Sequence, residues 1–263
     1  MFNLLVQRFL LATRFFPSIT EPCRLTENPE QLGKAAPFFP VVGFFFGILA
    51  MACYQSFSFW FSSELACFMA LLVLILFYNG GRFWGCLRVA DRLLITRRWT
   101  FENRKRIRLE RGTFRVIFLF FILALKFLAL LHVGEGWIPS MLVLLPTVSA
   151  WSYVYLTHSL ASASETEYGP FPHIKFVGNV QFWGATFFTT AIAIFFMGLE
   201  GLFLLMFLSL GTVIFERYVV NRNKKFLGSV LGIMLESSEL GLLLVVILMR
   251  DGFLTSTSMS VLA

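Results

Sequence analysis

The stretch FRVIFLFFILALKFLALLHV, residues 114–133, decides the fold. As a helix rising 1.5 Å per residue it is about 30 Å long, the thickness of a bilayer's hydrocarbon core. Its charged residues are Arg115, at one end, and Lys126, well inside. A soluble helix this apolar on every side would need a core around it. The composition supplies no soluble alternative: the chain is 57% apolar and 14% charged, with 33 Phe. Soluble domains average about a quarter charged, so this chain lacks the polar groups to cover a globular surface.

Similar stretches lie on either side. Residues 36–57, 64–81, 138–157, 179–199, 202–218 and 227–249 each read as a span, which makes seven. The fold class is therefore all-α: a polytopic integral membrane protein in a single membrane domain over 1–263. Met1–Phe16 mixes Leu and Phe with Arg8 and Arg14, as an amphipathic helix at the interface does. It lacks a small-residue cleavage pattern, so it is expected to be retained. Residues 18–35 read as polar and turn-like, 82–113 as a basic loop, 158–178 as a polar loop, and a Ser/Thr-rich tail closes the chain. Gly43 and Gly47 form a G-x-x-x-G that lets another helix approach closely.

Charge sets the orientation. With the N-terminus in the cytoplasm, 20 of the 22 Lys and Arg residues fall on the cytoplasmic side. Loops 58–63, 134–137 and 200–201, on the other side, contain none. This is the positive-inside pattern. It predicts a cell inner-membrane protein with an external C-terminus, in contact with membrane lipids. The four cysteines, Cys23, Cys53, Cys67 and Cys86, have neither disulfide-framework nor zinc spacing. His132 and His158, at span ends, and His173, in a loop, read as structural.

Three charges stand out in the middle of spans, where each costs about 2.5–3.5 kcal/mol on insertion scales. They are Lys126 and the pair Glu236 and Glu239, three apart and so on one helix face. Either Lys126 pairs with one acid and locks two helices, or the acids line a polar cavity that meets a cation or ligand. Segment 82–113 carries a surplus of +7, equal to the net charge of the whole chain. It suits topogenic charge and anionic headgroups, or a phosphate or diphosphate held by Arg in bidentate fashion. Nucleic acid is a poor partner, because the chain has no folded soluble domain to bind it. A transporter would show paired broken helices in related halves, and no internal repeat is present.

The order of motifs resembles the cobalamin synthase family, the adenosylcobinamide-GDP ribazoletransferases. Phe9–Pro17, with Thr13 and Arg14, is similar to the family's L-T-R-x-P. Phe38–Gly47 resembles F-P-x-V-G-x-x-x-G. Gly80-Gly81 and Gly85–Asp91 stand where the family has its acidic G-G-x-H-x-D-G-x-A-D-x-x-D. Gly112-Thr113-Phe114, Lys126-Phe127, Gly228–Gly232 and Glu236–Leu240 follow in the family's order.

The resemblance implies a membrane transferase. It would join GDP-activated cobinamide to α-ribazole or its 5'-phosphate and release GMP, with corrinoid and nucleotide small molecules as ligands. It also implies Mg²⁺ held by carboxylates. On the matching positions, Asp91 would be a metal ligand or base, with Glu236 and Glu239 as further carboxylates. Arg82, Arg88, Arg92 and Lys126 would face the substrate. The chain departs from the pattern at several positions: Trp84 and Arg88 replace the first two signature aspartates, Ser229 replaces the closing one, the signature His has no match, and the family's K-D-S falls on Arg and Leu positions around Ile107–Leu109. A degenerate paralogue that binds a corrinoid or nucleotide without turnover is the alternative.

Overall fold

The computed structural model describes residues 2–16, 28–78, 83, 86–87, 104–162, 171–217 and 227–261. Every regular element among them is helical: α1 (Phe2–Phe15), α2 (Pro29–Lys34), α3 (Phe39–Ser58), α4 (Ser63–Phe77), α5 (Arg104–Val133), α6 (Ile138–Ser162), α7 (Asn179–Met197), α8 (Leu199–Phe215) and α9 (Leu227–Val261), with 3₁₀ turns at Ala36–Phe38 and Pro172–Phe176. Five segments are long and apolar enough to cross a membrane: Ala36–Ser58, Phe114–Val133, Ile138–Ser162, Asn179–Met197 and Val230–Arg250. The shorter α4 and α8 are also apolar. The protein is a polytopic all-α membrane protein.

α6 is the axis of the bundle, and α3, α4, α5, α9, α8 and α7 form a closed ring around it, each packed on the next. Side chains follow from that placement. Met141 to Val154 of α6 are buried throughout, whereas the outer helices turn Phe120, Phe187 and Phe195 outward at 71%, 79% and 83% exposure. Water would not tolerate that surface, but lipid does. Several hydroxyls of the axial helix are satisfied within it. Thr147 Oγ1 donates to the Val143 carbonyl, Ser152 to Val148 and Thr157 to Tyr153.

Pro146 lies inside α6 and, having no N–H, leaves the Leu142 carbonyl without its helical donor. α3 presses its two glycines against that point. A Cβ on Gly47 would lie 2.6 Å from Val143 Cα and 3.0 Å from Leu142 O, and one on Gly43 would strike the Pro146 carbonyl. The G-x-x-x-G therefore brings two backbones into contact, as expected from its spacing.

At the end of the bundle where α3 begins, α1, α2 and the two 3₁₀ turns form a cap. α1 buries Ala12 and Phe15, Phe16 just after it is buried too, and α1 leaves Leu5, Val6 and Leu10 exposed, the disposition of a helix lying at a membrane surface.

Several boundaries differ from the sequence reading. α2 lies within the expected turn region 18–35. Asn28 Oδ1 accepts from the Glu30 N–H, Pro29 occupies the first turn, and Lys34 bonds Glu30 one turn on; this local capping forms a helix too short for periodicity to reveal. α5 begins at Arg104, inside the expected basic loop, because Arg and Lys are good helix formers and extend the span as polar helix. Within the expected loop 158–178, α6 continues to Ser162 and Pro172–Phe176 form a turn with His173 and Ile174 buried. α4 ends at Phe77. The α7–α8 reversal is at Gly198, with φ +60°, and Glu200 and Gly201 belong to the first turn of α8. α9 runs on through the Ser/Thr-rich tail to Val261.

Candidate active site

The three charges inside spans meet. Lys126 projects from α5 toward α9, where Glu236 and Glu239 occupy one face. Its Nζ lies 2.6 Å from Glu239 Oε2 and also forms an ion pair with Glu236 Oε2. Lys126, Glu236 and Glu239 are 5%, 3% and 3% exposed. Of the sequence alternatives, a pairing of lysine with one acid becomes a pairing with both. A buried lysine shared by two glutamates holds α5 to α9 across an apolar surrounding.

A second tie joins the same helices at their far ends. Arg250 of α9 donates from Nη1 to the carbonyls of His132, at 3.2 Å, and Val133. These are the last residues of α5, where a cation suits the exposed carbonyl end of a helix. The chain then turns through Gly134, whose φ of +92° favours glycine.

Cys86 links the signature region to the acid pair. Its thiol is 3.6 Å from the Gly232 carbonyl of α9, and Phe83 and Cys86 are 4% and 3% exposed. Gly232 is four residues before Glu236 and seven before Glu239, so the three share a helix face. Cys86 thus packs on α9 one turn from the first acid. Arg82, Arg88, Asp91 and Arg92 lie outside the described residues. No spacing rule in the sequence signals the contact of Cys86 or that of Arg250.

Mg²⁺ requires several hard oxygen ligands. Among the described residues, no three His, Cys, Asp or Glu side chains are grouped to hold a metal ion. Glu236 and Glu239 both turn an oxygen to the Lys126 ammonium, which repels a divalent cation. The described cluster does not fit Mg²⁺. A groove of about 610 Å³ between α6, α7 and α8 is apolar and lined by Trp151, Thr186, Leu205 and Ser209 among others; it has no ionisable group and is not part of this site.

Fold and site together define a polytopic membrane protein with a buried Lys–Glu–Glu cluster beneath one face of its bundle. Comparison with known proteins makes this specific. The family model for cobalamin-5-phosphate synthase matches residues 8–247. The chain belongs to that family, and it is a membrane protein of cobalamin biosynthesis. It is 23% identical over 243 residues to the adenosylcobinamide-GDP ribazoletransferase of Vibrio parahaemolyticus serotype O3:K6 (strain RIMD 2210633), covering 89% of each chain. No solved structure matches it.

Proposed function

We propose that this protein is the transferase that its family name and its relative describe. It joins GDP-activated cobinamide to α-ribazole, or to its 5'-phosphate, at the cytoplasmic face of the cell inner membrane. In that reaction a ribazole hydroxyl oxygen bonds to the phosphorus attached to cobinamide. The bond from that phosphorus to the bridging oxygen breaks, GMP departs with the oxygen, and the hydroxyl proton passes to a base. Most of the catalytic work is then positioning and neutralising phosphate charge.

Arg82, Arg88 and Arg92 suit the diphosphate, because a guanidinium offers two parallel donors to a phosphate. Arg88, where the family pattern has Asp, brings positive charge to that segment. Asp91 is the proton acceptor, a role that needs a carboxylate within reach of the attacking hydroxyl. Glu236 and Glu239, held by Lys126, supply the carboxylates of the site floor, and Lys126 is the cation paired with them.

The observation that carries this reading is the family match over 8–247. It is supported by Cys86 packing on the helix face that bears both acids. Complementation tests it. In a strain lacking its own ribazoletransferase, supplied with cobinamide and the lower-ligand base, this gene should restore cobalamin-dependent growth, and its Asp91→Ala variant should not. Membrane expression without growth would reject the proposal. It would favour the second reading, a corrinoid- or nucleotide-binding relative without turnover, for which Trp84, Arg88 and Ser229 at acidic motif positions speak.

A further inference from the structure

His173 belongs to neither the ion-pair cluster nor the basic segment, yet it is 1% exposed. It projects from the Pro172–Phe176 turn into the seam between the cap and the axial helix. Nε2 lies 2.8 Å from the hydroxyl of Tyr153, itself fully buried on α6. Phe15 of α1 stands edge-on to the imidazole at 5.1 Å between centroids, and Phe171 at 6.2 Å. α2 closes over the same turn: a Cβ on Gly33 would lie 2.5 Å from Phe176 Cβ and 2.7 Å from the His173 carbonyl. Among the described residues, the Tyr153–His173 bond is thus a polar tie within a largely apolar seam.

We propose that the Tyr153–His173 hydrogen bond is a latch that seats α2 and the Pro172–Phe176 turn on the axial helix, and that protonation of the imidazole releases it. The geometry is the reason. Imidazolium carries a proton on both ring nitrogens. Nε2 has Tyr153, but among the described residues the buried Nδ1 has no hydrogen-bond partner. Protonation would bury a charge and strand a donor, and both costs are relieved when the turn lifts into water.

Among the described residues, nearby charges do not offset this. Glu30 and Lys34 on α2 pair with each other. Arg14 on α1 and Lys175 on the turn are exposed. Tyr153 is the titratable group that α6 presents. Burial accordingly holds the His173 pKa down at about 4, below the usual 6.5. The released turn titrates near the ordinary value, so seating is favoured fully above that pH. It weakens as pH falls through 6.5 toward 4, and below that it changes no further.

The test is amide hydrogen exchange on the full-length protein in nanodiscs, at pH 7.5 and 5.0, each corrected for intrinsic exchange. It needs no substrate, so it is independent of the transferase reading. Linkage over this interval gives up to about a 30-fold increase in opening of residues 29–36 at pH 5.0. Peptides from α3 and α6 should keep their protection, and His173→Gln should remove the pH dependence of residues 29–36. Protection of residues 29–36 that is independent of pH in the wild type overturns the latch. So does pH-dependent loss that spreads equally to α3 and α6, or that persists unchanged in His173→Gln.

Discussion

Replacing Lys126 with Met keeps the length of the side chain and removes its charge. In the native protein the ammonium is 2.6 Å from Glu239 and also paired with Glu236, with all three groups at or below 5% exposure. At an effective dielectric of 20, one unit pair at that distance attracts with about 6 kcal/mol, most of which offsets the desolvation of the ions. Removing one partner exposes that desolvation without compensation, at a cost of about 3–5 kcal/mol. Here two carboxylates on one helix face are left together, so the upper half of that range is expected. The assay is thermal unfolding of purified protein in detergent, read by tryptophan fluorescence. For a chain of this size the loss corresponds to a fall of roughly 10 °C in Tm. Glu239→Gln leaves Lys126 paired with Glu236 and should cost less, about 1–2 kcal/mol. The triple change Lys126→Met, Glu236→Gln, Glu239→Gln should recover most of the loss, because no uncompensated charge remains. The ion-pair account fails if Lys126→Met is neutral, or if the triple variant is no more stable than the single one.

Gly47→Leu drives a side chain into the backbone of Val143, where neither helix can yield, and should destabilise by about 1–3 kcal/mol or more. Gly136→Ala, with open space around it, should be silent in the same melt. Arg250→Ala removes the cap from the end of α5 and should lower stability by about 1 kcal/mol, read as a smaller Tm shift. In a turnover assay, Asp91→Ala should lower the rate of GMP release by about 100-fold or more if Asp91 accepts the proton, whereas Arg88→Lys should chiefly raise KM for the diphosphate substrate. A cysteine placed at Trp99 should react with an impermeant maleimide in inverted vesicles and not in intact cells.

The bundle was legible because the bilayer imposes one length and one polarity on every span. Residues 36–57 and 138–157 were read within a few residues of α3 and the apolar part of α6 for that reason. The meeting of Lys126 with the glutamates was legible too, since a charge in hydrocarbon requires a partner. Elements set by local chemistry were not. α2 is a six-residue helix made by one Asn cap and one proline, and α5 and α9 run past their apolar segments because polar residues also form helix. His173 was read as structural, and its burial agrees, but its partner Tyr153 is 20 residues away and has no spacing signature. Position 86 showed the same limit: its contact with Gly232 spans 146 residues and depends on how the helices pack.

The decisive measurement is product formation by the purified protein supplied with GDP-activated cobinamide and α-ribazole, with and without Mg²⁺. The account predicts GMP and the joined corrinoid in equal amounts over repeated turnovers. Saturable binding of the activated corrinoid with no GMP released under either condition would contradict it.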